Sequence, residues 1–274
     1  MNNNKPTISV GIPAYNEEAN IEHLLRAILS QKEKGFVLKE IIVISDGSTD
    51  RTVEITRALR NNLVKVEERK NRLGQEVRQN EILQIFKGDI LVILEADTLL
   101  CDDLTISKLI KPLIKSSSSV AMAVGEPVSI QPKTFLEKIL YHNMLFKKQL
   151  FTKFKGGMNI YVCGGHSMKA LPRKITTQIR WPVGVPEDAY IYLFLTSKKY
   201  CIVKTQAKAY VKNVDNFSDR LKQNKKFLGG KRALKQYFSA EYLQTEYCIS
   251  KPIILKYLLG QVMKHPVWTT LSLV

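Results

Sequence analysis

Ile41-Ile42-Val43-Ile44-Ser45-Asp46 is an apolar run that ends in an acid, and Gly47-Ser48-Thr49-Asp50 follows it directly. A second run, Ile90-Leu91-Val92-Ile93-Leu94, leads in the same way into Glu95-Ala96-Asp97. Each run is too short for a helix and is typical of a buried parallel strand. In open α/β sheets, ligands bind outside the carboxyl ends of the strands. The two acidic clusters therefore predict one site, built to hold a nucleotide and a metal.

The neighbouring segments predict alternating strands and helices. We expect further strands at 7–12 and 64–67, a strand over 89–94 that contains the second run, helices over 19–31 and 74–86, and a helix that starts near Ser48 or Thr49. Later segments predict strands at 120–124, 200–203 and 209–211, helices over 134–154 and 189–196, and a basic helical stretch from 217 onward. The alternation predicts an α/β fold with βαβ units and a mostly parallel sheet flanked by helices.

The charge balance points to an anionic partner. The 274 residues include 42 Lys and Arg against 25 Asp and Glu, a net charge of +17. Such an excess indicates work near nucleic acid, an anionic membrane or phosphorylated substrates. Four scattered cysteines argue against a zinc site or a disulfide framework. No stretch reaches the roughly 18 to 20 apolar residues of a membrane-spanning helix. We expect a cytoplasmic protein without a signal peptide.

The acidic residues allow two readings each. Asp46 at a strand-to-helix turn can accept the ring N–H of a uracil or guanine base, or simply belong to a capping turn. Glu95 and Asp97 are expected on the same side of an extended segment. Two acids that leave a buried strand need partners. Those partners are a divalent cation held with diphosphate oxygens, or lysine and arginine side chains.

Three motifs together resemble one enzyme family. Ser9-Val10-Gly11-Ile12-Pro13-Ala14-Tyr15-Asn16-Glu17-Glu18, then Val43 to Asp50, then Leu94-Glu95-Ala96-Asp97 resemble the nucleotide-sugar half of family-2 inverting glycosyltransferases. That resemblance implies the GT-A fold, a Rossmann-like sheet, over residues 1–215. Residues 1–100 would bind the nucleotide and 101–215 would supply the acceptor side and catalytic base. Residues 216–274 would form a basic helical extension suited to a membrane interface.

The resemblance also implies roles for single residues. The donor nucleotide would contact Pro13, Ala14, Tyr15, Glu17, Asp46, Gly74, Glu95 and Ala96. Asp97 would be the principal ligand of a divalent metal, manganese or magnesium, with Glu95 standing where the family usually has Asp. His166 is a further candidate ligand, although a lone histidine is more often structural.

Three later motifs carry the remaining roles. The turn Cys163-Gly164-Gly165-His166-Ser167-Met168 resembles the family's small-residue turn, so Gly164 and Gly165 would lie near the diphosphate and acceptor. In Pro186-Glu187-Asp188, Asp188 would be the catalytic base beside Glu187. An acid pair that only stabilises a helix N-terminus would look the same. Gln223-Asn224-Lys225-Lys226-Phe227 resembles a Gln-x-x-Arg-Trp signature, in which Gln223, Lys226 and Phe227 would contact diphosphate or acceptor, or else form a basic amphipathic helix.

The expected activity is transfer of a sugar, most simply from a UDP-sugar, to an acceptor hydroxyl with inversion at the anomeric carbon. The acceptor would be a lipid-linked or cell-envelope glycan, as in polysaccharide biosynthesis, and the protein would lie at the inner face of the cell membrane on an anionic surface. We expect no nucleic-acid partner, because the aromatic residues do not form a stacking platform. Two alternatives remain: an inactive scaffold of the same fold, and a sugar-nucleotide nucleotidyltransferase. The latter should carry a Gly-rich basic loop where this chain has Pro13 to Glu17.

Overall fold

The computed structural model describes residues 5–115, 119–164, 167–211 and 229–273. Internal contacts divide the chain into two units. Unit 1 comprises Met1–Val128 and His166–Tyr210, and unit 2 comprises Ser129–Gly165 and Val211–Val274. The domain boundary predicted between 215 and 216 lies outside the described residues and stays a prediction.

An eight-stranded sheet forms the centre of unit 1. Its strands are β1 (Thr7–Ala14), β2 (Val37–Asp46), β3 (Val64–Arg69), β4 (Ile90–Leu94), β5 (Leu99–Leu100), β6 (Val120–Ser129), β7 (Met168–Pro172) and β8 (Cys201–Val211). They follow the order β3-β2-β1-β4-β7-β6-β8-β5. The pairs β3–β2, β2–β1 and β1–β4 are parallel, and β4–β7, β7–β6 and β8–β5 are antiparallel. The predicted α/β class is confirmed, with its parallel strands at one end of the sheet.

The helices follow the strands in chain order. They are α1 (Ile21–Leu29), α2 (Thr52–Ala58), α3 (Gln75–Ile85), α4 (Thr105–Lys115), α5 (Phe135–Lys153), α6 (Ile160–Cys163), α7 (Arg173–Thr176), α8 (Glu187–Ser197), α9 (Ala240–Tyr247), α10 (Lys251–Lys264) and α11 (Pro266–Leu273). Helices α5, α6 and α9 to α11 belong to unit 2, where α5 packs against α10 and α11. No helix of the described ranges combines the length and the apolar character needed to cross a bilayer.

The core explains why the two apolar runs contain no polar alternation. Ile41 to Ile44 of β2 and Leu91, Val92 and Leu94 of β4 are fully buried, so these strands are covered on both faces. The apolar stripe of α1, consisting of Ile21, Leu24, Leu25 and Ile28, is buried as well. Continuous burial on both faces is the usual environment of parallel strands.

Two predictions differ from the structure, and strand β7 was not predicted. The helix expected near Ser48 or Thr49 begins at Thr52, because the Ser48 and Thr49 hydroxyls and amides are engaged with Asn16 and Ser45 instead. The strands expected at 200–203 and 209–211 are one continuous strand, β8. The strand β7, which the sequence did not predict, lies between β4 and β6 and continues the sheet beyond its parallel end.

Candidate functional site

Asp46, at the carboxyl end of β2, is hydrogen-bonded to the segment that follows β3. Its carboxylate accepts hydrogen bonds from the amides of Leu73 (2.8 Å) and Gly74 (2.9 Å) and from Nε of Arg78 (2.7 Å). Both Asp46 and Arg78 are buried. A carboxylate has about four acceptor positions. Three are therefore occupied, and at most one position on Oδ2 is left for a nucleotide base.

Gly47 lets the chain approach this segment closely. Its φ is +74°, in the left-handed region that favours glycine. A Cβ at this position would lie 2.9 Å from the amide nitrogen of Arg72 and 3.1 Å from the carbonyl oxygen of Lys70. The Arg72 guanidinium in turn lies 3.7 Å from the centre of the Tyr15 ring. The two predicted nucleotide motifs, around Tyr15 and around Asp46, thus meet at one edge of the sheet.

Glu95 leaves β4 in a turn, because the amide of Thr98 donates to the Glu95 carbonyl oxygen (3.1 Å). The extended segment predicted for Glu95 to Asp97 is therefore wrong, and alternation along a strand does not place these two carboxylates. Ala96 between them is buried, whereas Asp97 is exposed. The charge of Asp97 nevertheless acts on both Glu95 and Glu17, since it raises the pKa of each.

Lys169 on β7 brings a buried cation to these acids. In the β4–β7 register, Lys169 is opposite Ile93, which is two residues before Glu95 and on the same face of the strand. Its Nζ donates to Oδ1 of Asp188 and forms an ion pair with it. Burial alone would lower the pKa of Lys169, but the charges of Asp188, Glu187 and Glu95 outweigh burial and raise it. The acids around Lys169 therefore favour its charged form.

Glu187 and Asp188 are the first residues of α8, where the helix dipole favours negative charge. A buried tryptophan fixes this helix start. Trp181 Nε1 donates to the Glu187 carbonyl (3.0 Å), and the Trp181 backbone exchanges two hydrogen bonds with the Asn80 side chain on α3 (2.8 and 2.9 Å). The same helix α3 carries Arg78, so it braces both Asp46 and the start of α8.

Glu95, Glu187 and Asp188 each place a carboxylate oxygen within 4.8 Å of the other two. This carboxylate group has a physical consequence for Glu95. Burial, followed by repulsion from Asp188 and Asp97, raises the pKa of Glu95 to about 7, with Lys169 offsetting part of the rise. Three carboxylates this close together offer hard oxygen ligands, which suit a divalent cation of the Mg²⁺ or Mn²⁺ type.

The other predicted site residues are distributed as follows. Pro13 and Ala14 are buried at the end of β1, and Glu17 begins the α1 entry, where its carbonyl accepts from the amides of Asn20 and Ile21. Gly74 precedes α3 with φ +107°. Gly164 follows α6 in unit 2. Gly165, His166, Gln223, Lys226 and Phe227 lie outside the described residues, and their roles stay predictions.

Sequence reasoning missed Arg78 and Lys169. Each is a long charged side chain with almost no exposure, an environment that such residues occupy only when they are paired. Lys169 did carry a signal, since it interrupts the apolar stretch Met168 to Leu171 shortly after the Gly164-Gly165 pair in the sequence.

Residues 9–175 match the sequence profile of glycosyl transferase family 2. This match covers more than half of the chain. The chain belongs to glycosyl transferase family 2. The matched range contains the donor-side motifs, β7 and Lys169, and it ends before Asp188.

Relatives with similar sequences match shorter stretches. An uncharacterized glycosyltransferase of Synechocystis is 30% identical over 92 residues, which cover 33% of this chain and 29% of that protein. The 4,4'-diaponeurosporenoate glycosyltransferase of Staphylococcus aureus is 41% identical over 58 residues, 21% of this chain and 14% of the relative. The chain thus spans less than a third of the length of these curated relatives.

Solved structures confirm the fold over a longer range. Glucosyl-3-phosphoglycerate synthase from Mycobacterium tuberculosis, in complex with Mn²⁺, UDP and phosphoglyceric acid, superposes with a TM-score of 0.62 and 19% identity over 84% of this chain and 78% of that chain. A mannosyltransferase from Pyrobaculum calidifontis, in complex with GDP-mannose and Mn²⁺, superposes with a TM-score of 0.65 and 18% identity. The match covers 97% of this chain and 74% of that chain. At this identity the likeness establishes the GT-A fold and nothing finer.

Proposed function

We propose that this protein transfers a sugar from a nucleotide-diphosphate donor, a UDP-sugar by preference, to an acceptor hydroxyl with inversion of the anomeric carbon. The observation that carries the proposal is Asp188, which a buried lysine holds at a helix start beside Glu95 and the carboxyl end of β4. Family-2 membership favours this activity over the nucleotidyltransferase alternative.

Asp188 is the proposed base. Lys169 holds Oδ1, so Oδ2 is available to take the proton of an acceptor hydroxyl. The resulting oxygen nucleophile attacks the anomeric carbon on the face opposite the nucleotide, the bond to the diphosphate breaks, and the configuration inverts. The Lys169–Asp188 ion pair holds the base in one orientation, as a general base requires before the proton is transferred.

The donor set also fits a divalent cation, which supplies Lewis-acid stabilisation of the leaving diphosphate when it is bound. We assign this cation to Glu95 and Asp97 rather than to Asp188. Asp188 already faces the buried Lys169 ammonium, and the positive charge of that ammonium disfavours a second cation beside it. Glu95 is common to both possible ligand sets, so Asp97 and Asp188 are the residues that distinguish them.

The test is calorimetric titration of the full chain with UDP, GDP and dTDP, each with and without MnCl₂. We expect one nucleotide, UDP first, to bind with an affinity that Mn²⁺ raises. Asp97→Ala should abolish the metal-dependent part of this binding, and Asp188→Asn should leave it intact. If none of the three nucleotides binds, the chain is an inactive scaffold and the proposal fails.

For the acceptor, we propose a lipid-linked or cell-envelope glycan reached from an anionic membrane surface. Unit 2 supports this with exposed apolar side chains at a spacing of four, Leu255, Leu259 and Met263 on α10 and Val267 and Leu271 on α11. The stretch 248–274 carries three lysines and no acidic residue. Apolar side chains among lysines suit an interfacial position on anionic lipid.

Sedimentation with vesicles tests the membrane proposal. The wild type should bind vesicles that contain phosphatidylglycerol and bind poorly to pure phosphatidylcholine. The double variant Leu255→Asp/Leu259→Asp should lose this binding. The matched control is Val183→Asp, because Val183 in unit 1 is equally exposed and apolar but lies outside the stripe. Equal binding of all three proteins would remove α10 from the interface.

A further inference from the structure

Unit 2 contains a cavity of about 660 Å³ that neither the fold nor the proposed transfer reaction uses. Its size lies within the range of about 300 to 1,000 Å³ found for small-molecule sites. Helices α5, α6, α9 and α10, the first residues after α9 and the stretch 231–235 line it. The lining residues are Leu150, Phe151, Tyr161, Lys231, Lys235, Ala240, Leu243, Gln244, Tyr247, Cys248, Ile249 and Ile254.

One wall of this cavity is aromatic and apolar. The rings of Phe151 and Tyr161 stack with centroids 4.2 Å apart, and the Tyr161 hydroxyl donates to the Tyr247 carbonyl oxygen (2.7 Å). Burial raises the pKa of Tyr161 to about 12 and also raises that of Tyr247. Both phenols are therefore neutral at physiological pH, and neither adds negative charge to the cavity.

The remaining wall is positively charged. Lys231 and Lys235 both line the cavity, and Nζ of Lys231 lies 4.7 Å from the centre of the Tyr247 ring. The lining contains no Asp or Glu. The acid nearest in sequence to Tyr247, Glu246, is paired with Lys155 at 2.9 Å. Within the described part of the chain, neither lining lysine has a carboxylate within ion-pair distance.

We propose that this cavity binds an amphipathic anion, an alkyl or isoprenoid chain that carries one phosphate or carboxylate group. Lys231 and Lys235 would hold the anionic group, and the chain would lie against Phe151, Leu243 and Ile254. An uncharged lipid would gain nothing from the two ammonium groups, and a bare inorganic anion would leave the apolar wall exposed to water. The source of the ligand is either a bilayer lipid or a free amphiphile. The proposal does not depend on the transfer reaction, since it is tested without a nucleotide sugar.

The primary experiment is calorimetric titration of the full chain with dodecyl phosphate below its micelle concentration. Inorganic phosphate and dodecyl maltoside serve as the separate anionic and apolar probes. We expect dodecyl phosphate to bind at least tenfold more tightly than either. Lys231→Gln/Lys235→Gln should weaken its binding at least tenfold, since both anchoring charges are removed. The control Lys256→Gln removes an exposed charge that does not line the cavity and should bind as the wild type does.

A second variant tests the apolar part without changing the charge. Ala240 is exposed and lines the cavity, so Ala240→Trp fills space there without disturbing the core. It should weaken dodecyl phosphate but leave any weak binding of inorganic phosphate unchanged. Equal affinity for dodecyl phosphate in the wild type and both cavity variants would overturn the proposal. Vesicles that contain phosphatidic acid identify the source: competition with monomeric dodecyl phosphate indicates a bilayer lipid, and no competition indicates a free amphiphile.

Discussion

Asp46 and Glu95 follow the same sequence pattern and end in opposite environments. Both terminate apolar strands that flank β1 in the sheet. Asp46 receives three donors, one of them the buried Arg78, whereas Glu95 faces three further carboxylates and shares one lysine with them. The first acid, Asp46, has a structural role, since it holds the segment before α3 by hydrogen bonds. The second lies among like charges that, together with burial, raise its pKa, and it is therefore suited to bind a cation.

The difference comes from the segments that follow each strand. After β3, residues 71–78 return to Asp46 with two amides and a guanidinium. Around Glu95, β7 delivers one ammonium while α8 delivers two carboxylates. Helix α3 links the two regions, since Arg78 contacts Asp46 and Asn80 holds Trp181 at the entry to α8. Helix α3 thus connects the Asp46 hydrogen-bond network to the start of α8, where Glu187 and Asp188 lie.

Substitution of the proposed base should have the largest effect on rate. Asp188→Asn retains the shape of the side chain but cannot accept the acceptor proton, so we expect the transfer rate to fall by roughly 10²–10⁴-fold, the usual contribution of a general base. Nucleotide affinity, measured by calorimetry, should be unchanged. Loss of both rate and nucleotide binding would assign Asp188 a structural role like that of Asp46.

Substitution of Asp46 should instead lower the stability of the fold. Asp46→Ala leaves Arg78 without its main partner, although Glu81 and the Asn71 carbonyl still accept from it. Loss of one partner of a buried pair costs about 3–5 kcal/mol. We expect the free energy of unfolding in urea to fall by about 3 kcal/mol, the lower end of that range. The control Glu68→Ala breaks the exposed Arg57–Glu68 pair and should change stability little.

Binding of a divalent cation should identify which acids near Glu95 are its ligands. MnCl₂ at 100 times its dissociation constant should raise the free energy of unfolding by about 2.7 kcal/mol, because it binds only the folded protein. The stabilisation should vanish in Asp97→Ala and persist in Asp188→Asn. The reverse pattern would move the cation to the Glu95, Glu187 and Asp188 group, and stabilisation that persists in both variants would place it elsewhere.

Much of the parallel end of the fold was predictable. The strands β1, β2 and β4 are recognisable in the sequence as apolar runs too short for helices. Each was predicted to within two residues at its carboxyl end. Strand β7 was not, because its five residues include Lys169 and Pro172, and pairing with β4 and β6 rather than local preference makes it a strand. Tertiary contacts commonly override local propensity in this way.

The site residues, like the strands, were predictable where local sequence patterns determine them and not where tertiary contacts do. The sequence identified Asp46, Glu95 and Asp188 as acids at element ends, since those positions follow from local patterns. It did not identify which of these acids accept hydrogen bonds from distant parts of the chain. The donors to Asp46 come from residues 73–78, and the partner of Asp188 comes from β7. The turn that separates Glu95 from Asp97 also depends on its setting, where the Glu95 amide and the Thr98 hydroxyl both donate to the Ser167 carbonyl.

The smallest expected effect tests the charge of Glu95 directly. Its pKa in the folded protein, about 7, is above the ordinary value of 4.5. Between these pH values the folded state holds a proton that the unfolded state has lost, so wild-type stability falls as pH rises through this window. Glu95→Gln has no such loss. In EDTA, its stability relative to the wild type should therefore increase from pH 5 to pH 8 by on the order of 2 kcal/mol. Urea unfolding at both pH values measures the change, with Glu68→Gln as the exposed control. Equal differences at pH 5 and pH 8 would mean that Glu95 is as well compensated as Asp46, and the contrast between the two strand ends would no longer hold.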